Sequence, residues 1–239
     1  MAKKINQPVT LSQAEPDEAR SVAIQGDELA LASDPRGRVA EQFRGLRNSV
    51  IALNPEGAPR SVVLTSSVAG EGKTVATINL GLALAELPGT EVLLLDANLH
   101  SPGVEEKLGL SKRQGLADVL SGSCPMDSAI RATSVSGVHV MGAGNLPDNP
   151  SQLLGSERMR TVLGSLKRRF TYVLIDTPEA LRISDASLLG GVADGIVLVV
   201  RLGLTPRHQV EQTHNTLEAL GGNVLGTCLT GAEEENSYD

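Results

Sequence analysis

"TSSVAGEGKTVAT", residues 65–77, decides the reading of this chain. It follows the aliphatic run "SVVLTS" (residues 61–66) and opens a segment, from Thr74 to about residue 87, whose residues favour helix. Gly72, Lys73 and Thr74 supply the Gly-Lys-Thr core of a phosphate-binding loop, set between a strand and a helix. That placement suits the chemistry. Backbone N–H groups of residues 70–74 can point at phosphates, and the helix N-terminus adds a favourable dipole. Lys73 brings a mobile charge to the outer phosphates, and the Thr74 hydroxyl is a Mg²⁺ ligand. Ala69, Gly70, Glu71, Gly72, Lys73, Thr74 and Val75 are the expected nucleotide contacts. The usual template has a glycine where this chain has Ser67, a residue small enough to make the same turn.

Outward from the loop, strands and helices alternate. "EVLLLDAN", "VHVMGA", "YVLIDT", "GIVLVVR" and "NVLGTCLTG" read as strands. Between them lie a short helix at "GLADVL", a helix from about Ser151 to Arg169, and the helix "PRHQVEQTHNTLEAL", whose Val210, Thr213, Leu217 and Leu220 share a face. Repeated β-α units with aliphatic strands predict an α/β, doubly wound, mainly parallel sheet flanked by helices. With aromatics at only 2%, the core must be aliphatic, which suits such a sheet. Upstream, "RVAEQFRGLRNSVIAL" predicts a helix from Arg38, with Val39, Phe43, Leu46 and Val50 on one face. Residues 1–37 lack a period and are expected to form a mobile arm, 38–230 the domain, and 231–239 a flexible acidic tail.

Ligands in such sheets bind beyond the carboxyl ends of the strands. Two strands run into a carboxylate there, Asp96 in "EVLLLD" and Asp176 in "YVLID". With Thr74 they are the candidate holders of a hydrated Mg²⁺. The chain lacks an Asn-Lys-x-Asp or Thr-Lys-x-Asp guanine reader, so ATP is the expected nucleotide. A formal net charge of -7 argues against nucleic acid and against an anionic membrane surface. No apolar run approaches the length of a membrane span, so direct membrane insertion is not expected. Cys124 and Cys228 fit neither a disulfide framework nor a metal knuckle, and a reducing cytoplasm is the simplest setting.

"AGEGKT", "LLLDANLHSP", "GLADVLSG", "GNLPDNPSQLLGS" and "YVLIDTPE", with "EQFRGLR" upstream, resemble the bacterial tyrosine kinases of polysaccharide export. The resemblance spans about residues 38–230 in order, and the proline-rich stretch 144–155 is the part that general P-loop ATPases lack. It implies a partitioning-ATPase-like P-loop fold and an ATP-dependent tyrosine autokinase that regulates exopolysaccharide or capsule assembly. It also implies a membrane-embedded polysaccharide co-polymerase as partner, a homo-oligomeric ring, and a cytoplasmic site at the inner face of the membrane. This chain would be the separate cytoplasmic kind, or a detached kinase domain. Carried over, Lys73 and Asp96 are catalytic, with Asp96 taking the tyrosine proton or holding the ion, and Asp176 is the second carboxylate. Glu41, Arg44 and Arg47 match the helix that docks onto a neighbouring subunit; their bland alternative is a solvated face with an i,i+3 ion pair. Tyr238 is the expected acceptor, and Tyr172 is expected in a core strand.

The family has a second acid where this chain has Asn98, an arginine where it has His100, and an asparagine where it has Thr230; its tail carries several tyrosines. Two other functions compete: an ATP-binding scaffold for the membrane partner, and a spatial-organising ATPase. The latter class has an extra lysine near the start of its loop, where this chain reads Ser66, Ser67 and Val68.

Overall fold

The computed structural model describes residues 28–54 and 60–231. In chain order the elements are α1 (Ala30–Ser33), α2 (Arg38–Ala52), β1 (Arg60–Ser66), α3 (Lys73–Ala85), β2 (Val92–Asp96) and α4 (Val104–Lys107). Next come α5 (Leu116–Ser121), α6 (Met126–Ala129), β3 (Arg131–Ala132), β4 (Val138–Met141), α7 (Pro150–Leu154) and α8 (Glu157–Lys167). The domain closes with β5 (Tyr172–Asp176), α9 (Asp185–Gly190), β6 (Gly195–Arg201), α10 (Arg207–Ala219) and β7 (Val224–Thr230).

The strands form one seven-stranded sheet in the order β3-β4-β2-β5-β1-β6-β7. All pairings are parallel except β3 with β4 at one edge. The central strands β2 and β5 are buried along their whole length. Two aliphatic cores result, one per sheet face. One holds Leu93, Leu95 and Ile175 against α5 and α8, the other Leu64, Leu94 and Leu174 against α3. Continuous aliphatic strands therefore have a simple cause, since each residue meets a helix layer whichever way it points. Gly81 lets α3 settle on the sheet, for a Cβ there would stand 2.5 Å from a Leu94 methyl.

Several sequence expectations need correction. The stretch expected as one helix from Ser151 to Arg169 breaks into α7 and α8. The Ser156 hydroxyl accepts from the Met159 N–H at 3.3 Å and starts a second helix just past Gly155. Part of the expected arm is packed: Leu29 is buried, and the Asn79 side chain on α3 donates to the Glu28 carbonyl at 3.0 Å. One apolar residue and one amide suffice there, and neither leaves a period in the sequence. On α2 the buried face runs through Ala40 and Val50, with Phe43 and Leu46 packed beside them, while Val39 is 50% exposed. Leu220 ends α10 exposed, although Thr213 and Leu217 are buried as expected. Tyr172 lies buried in β5.

Candidate nucleotide site

The loop after β1 turns twice through the left-handed region, at Gly70 (φ 82°) and Gly72 (φ 85°), where a side chain would be strained. Gly72 then caps α3, so Lys73 and Thr74 stand on its first turn. The Lys73 ammonium donates to the Ser66 hydroxyl at 3.0 Å, which in turn donates to the Val68 carbonyl at 2.6 Å. A cavity of about 660 Å³ opens above, lined on this side by Ala69, Gly70, Lys73 and Thr74. Its far wall is Asn98, His100 and Ser101 after β2, and Pro178, Glu179, Arg182 and Ile183 after β5.

Glu71 is expected as a nucleotide contact, but its side chain turns the other way and is fully buried. It accepts from the Val68 N–H at 2.8 Å and the Arg201 N–H at 3.1 Å, and from the Thr205 hydroxyl. The Thr230 hydroxyl donates to the Glu71 carbonyl at 2.8 Å. Thus the Glu71 carboxylate ties the loop to the end of β6, and the Glu71 carbonyl ties it to the end of β7. Only the Glu71 backbone is left to meet a phosphate.

Asp96 and Asp176 are register partners at the ends of adjacent strands, and both are fully buried. The Thr74 hydroxyl donates to Asp176 Oδ2 at 2.6 Å, whereas the buried Asp176 Oδ1 has no hydrogen-bond partner among the described residues. Burial, and then the charge of Asp96, push the Asp176 carboxyl up to about 7, against the Thr74 hydrogen bond and the Lys73 charge. Burial likewise pushes Asp96 up to about 6, although the backbone N–H groups of Val104, Gly103 and Asn98 all donate to it. Two carboxylates forced together, one with an orphaned oxygen beside a threonine hydroxyl, form a donor set that fits a hard divalent cation such as Mg²⁺.

The structure thus brings Gly70, Lys73, Thr74, Asp96 and Asp176 to one sheet end. It does not bring the α2 residues there. Arg44 makes a two-pronged ion pair with Glu86 at 2.5 and 2.8 Å and bonds Glu41 at 2.5 Å. Arg47 reaches Glu86 and the Ala83 carbonyl, each at 3.1 Å. These hydrogen bonds hold the Glu86 carboxyl below the ordinary carboxylate range. Glu86 follows the far end of α3, roughly 20 Å from Lys73 at 1.5 Å rise per residue. Tyr238 lies outside the described residues. Sequence reading missed Asp185, which is fully buried; its Oδ1 accepts from the Ser151 hydroxyl at 2.5 Å, and its Oδ2 lies 3.0 Å from His100 Nε2. In "RISDASLLG" nothing marks that aspartate as more than an acid at a helix start.

A parallel sheet with a Gly-Lys-Thr loop and acid-ended strands defines a P-loop nucleotide-binding protein. The family model described as an AAA domain matches residues 60–224. Tyrosine-protein kinase YwqD of Bacillus subtilis (strain 168) is 32% identical over 212 residues, covering 89% of each chain. Among solved structures, the kinase domain of Escherichia coli tyrosine kinase ETK superposes with a TM-score of 0.82 at 29% identity, over 88% of this chain and 82% of that one. The septum site-determining protein MinD of Pyrococcus horikoshii OT3, complexed with Mg-ADP, shares the wider fold: TM-score 0.62, 28% identity, 74% and 72% coverage. The chain belongs to the bacterial tyrosine kinases.

Proposed function

We propose that this chain transfers the γ-phosphoryl group of ATP to tyrosine, with its own Tyr238 as acceptor, and so regulates exopolysaccharide or capsule assembly. The carrying observation is the cavity at the strand ends, where Lys73 and Thr74 stand over the orphaned Asp176 oxygen. Backbone N–H groups of residues 70–74 cradle the phosphates, and Lys73 leaves Ser66 for the outer ones. Thr74 and Asp176, with Asp96 behind them, would hold Mg²⁺, which when bound neutralises charge on the β- and γ-oxygens. Asp96 is sealed beneath the cavity with both oxygens accepting backbone N–H groups, which suits the metal side better than contact with a phenol.

The chain from Thr230 to Tyr238 is short, which favours delivery of the tyrosine to a neighbouring subunit's site. Glu41, Arg44 and Arg47 are the proposed ring contact, with part of their hydrogen-bonding capacity already given to Glu86. No helix among the described residues is long and apolar enough to cross a membrane. A membrane-embedded polysaccharide co-polymerase would hold the protein at the inner face, in the cytoplasm. A scaffold that only binds ATP is the second reading, favoured by Asn98 in place of the family's acid and by a single tail tyrosine. Incubation with ATP and Mg²⁺, followed by phosphotyrosine detection, separates the two. Phosphotyrosine that is absent from Lys73→Met supports the kinase, and ATP binding without it supports the scaffold.

A further inference from the structure

We propose that His100, oriented by the buried carboxylate of Asp185, is the base that takes the phenolic proton when tyrosine attacks the γ-phosphorus. The inference rests on the kinase reading above. A tyrosine hydroxyl has a pKa of about 10 and gains from a proton acceptor at the point of attack. Neither strand-end carboxylate reaches the cavity surface: Asp96 and Asp176 are both fully buried.

His100 does reach it. The side chain lines the cavity and is 36% exposed, while its partner Asp185 is fully buried. Nε2 stands 3.0 Å from Asp185 Oδ2, and Ser151 donates its hydroxyl to Oδ1. An ionised carboxylate only accepts, so the ring hydrogen belongs on Nε2 and the lone pair on Nδ1. This is the relation of base and orienting acid found wherever an imidazole must present one nitrogen. The bland alternative is an aspartate that caps its own helix. Yet Asp185, on the first turn of α9, gives both oxygens to side chains of other elements, His100 after β2 and Ser151 on α7. Ser151 comes from the proline-rich stretch 144–155, which the nucleotide site otherwise leaves without work.

In the step, the phenolic oxygen bonds to the γ-phosphorus as its proton passes to Nδ1. The bond from that phosphorus to the β,γ-bridging oxygen breaks, and its electron pair leaves with ADP. The imidazolium faces the Asp185 carboxylate and returns its proton to solvent through the open cavity.

The test is single-turnover transfer from Mg·ATP to a glutamate–tyrosine copolymer across pH, with ATP affinity measured in parallel on the full chain. His100→Ala should lower transfer about 10²-fold with ATP affinity nearly unchanged, and free imidazole should restore part of the rate. Asp185→Asn should slow transfer with ATP affinity nearly unchanged, because the ring loses the carboxylate that orients it, and Asp185→Glu should restore part of the rate. A His100→Ala rate equal to wild type, a loss matched by weaker ATP binding, or no imidazole rescue would overturn the assignment. Wild-type protein that binds Mg·ATP and transfers nothing removes the kinase reading itself, a separate failure.

Discussion

Replacing Asp176 by asparagine should stabilise the metal-free protein while crippling its work with Mg²⁺. The wild-type site holds two buried carboxyls in register, Asp96 and Asp176, with one oxygen unpartnered among the described residues. The Asp176 carboxyl is pushed from 3.8 to about 7, so the fold prefers it protonated. Such a group lends full stability below its unfolded value and loses it as pH rises through the folded one. Ionising it in the fold costs about 4 kcal/mol at most, at about 1.4 kcal/mol per pKa unit. Because the two carboxyls share one site, a proton kept on one relieves the other, and about 2 kcal/mol is the working magnitude. For a domain of this size that corresponds to roughly 4–8 °C in melting temperature. Asparagine keeps an acceptor for the Thr74 hydroxyl and removes the charge. Thermal unfolding in chelator at mildly alkaline pH should show the gain. Near pH 4 the gain should vanish, because wild-type Asp176 is then protonated. Adding Mg²⁺ and ADP should stabilise wild type and leave the variant nearly unmoved. A variant no more stable than wild type at alkaline pH, or equally stabilised at both, refutes the carboxylate-pair reasoning.

Glu71→Ala leaves the Val68 and Arg201 N–H groups and the Thr205 hydroxyl without their buried acceptor, at about 3 kcal/mol or more; a denaturant midpoint shift corresponding to under about 1 kcal/mol would show that the clamp is dispensable. Replacing Arg44 and Arg47 together by alanine should shift sedimentation toward smaller species with ATP and Mg²⁺ present. A lowered melting temperature with unchanged assembly would instead confine these arginines to stapling α2 onto α3 through Glu86. Asn98→Asp keeps the acceptor for the Ser101 N–H and adds negative potential at the cavity wall, so phosphorylation at limiting Mg²⁺ should rise a few-fold; an unchanged rate makes the departure silent.

The sheet was legible because its information is local. Each central strand is a run of aliphatic residues, and the loop after β1 carries its two left-handed glycines at fixed spacing. Asp96 and Asp176 could be found since each simply ends such a run. What stayed hidden is what the topology assembles from separate places. His100, Ser151 and Asp185 come from three connections, and no spacing links them. Glu86 is an ordinary surface acid until α2 packs across α3 and presents two arginines to it. The same holds for Glu71, whose position in the loop suggests a phosphate contact but whose side chain is claimed by Arg201 and Thr205, far along the chain. The break between α7 and α8 was encoded in Ser156, but a serine inside an apolar period reads equally well as helix surface.

The most direct test of the kinase reading is peptide mass spectrometry of the protein after incubation with ATP and Mg²⁺, beside Lys73→Met under the same conditions. The Lys73 ammonium donates to the Ser66 hydroxyl, a contact the fold can lose, so removing its charge should spare the fold and take away the outer-phosphate contact. The expected result is phosphate on Tyr238 in wild type and none in the variant. No phosphotyrosine in wild type, or the same phosphorylation in both proteins, would contradict it.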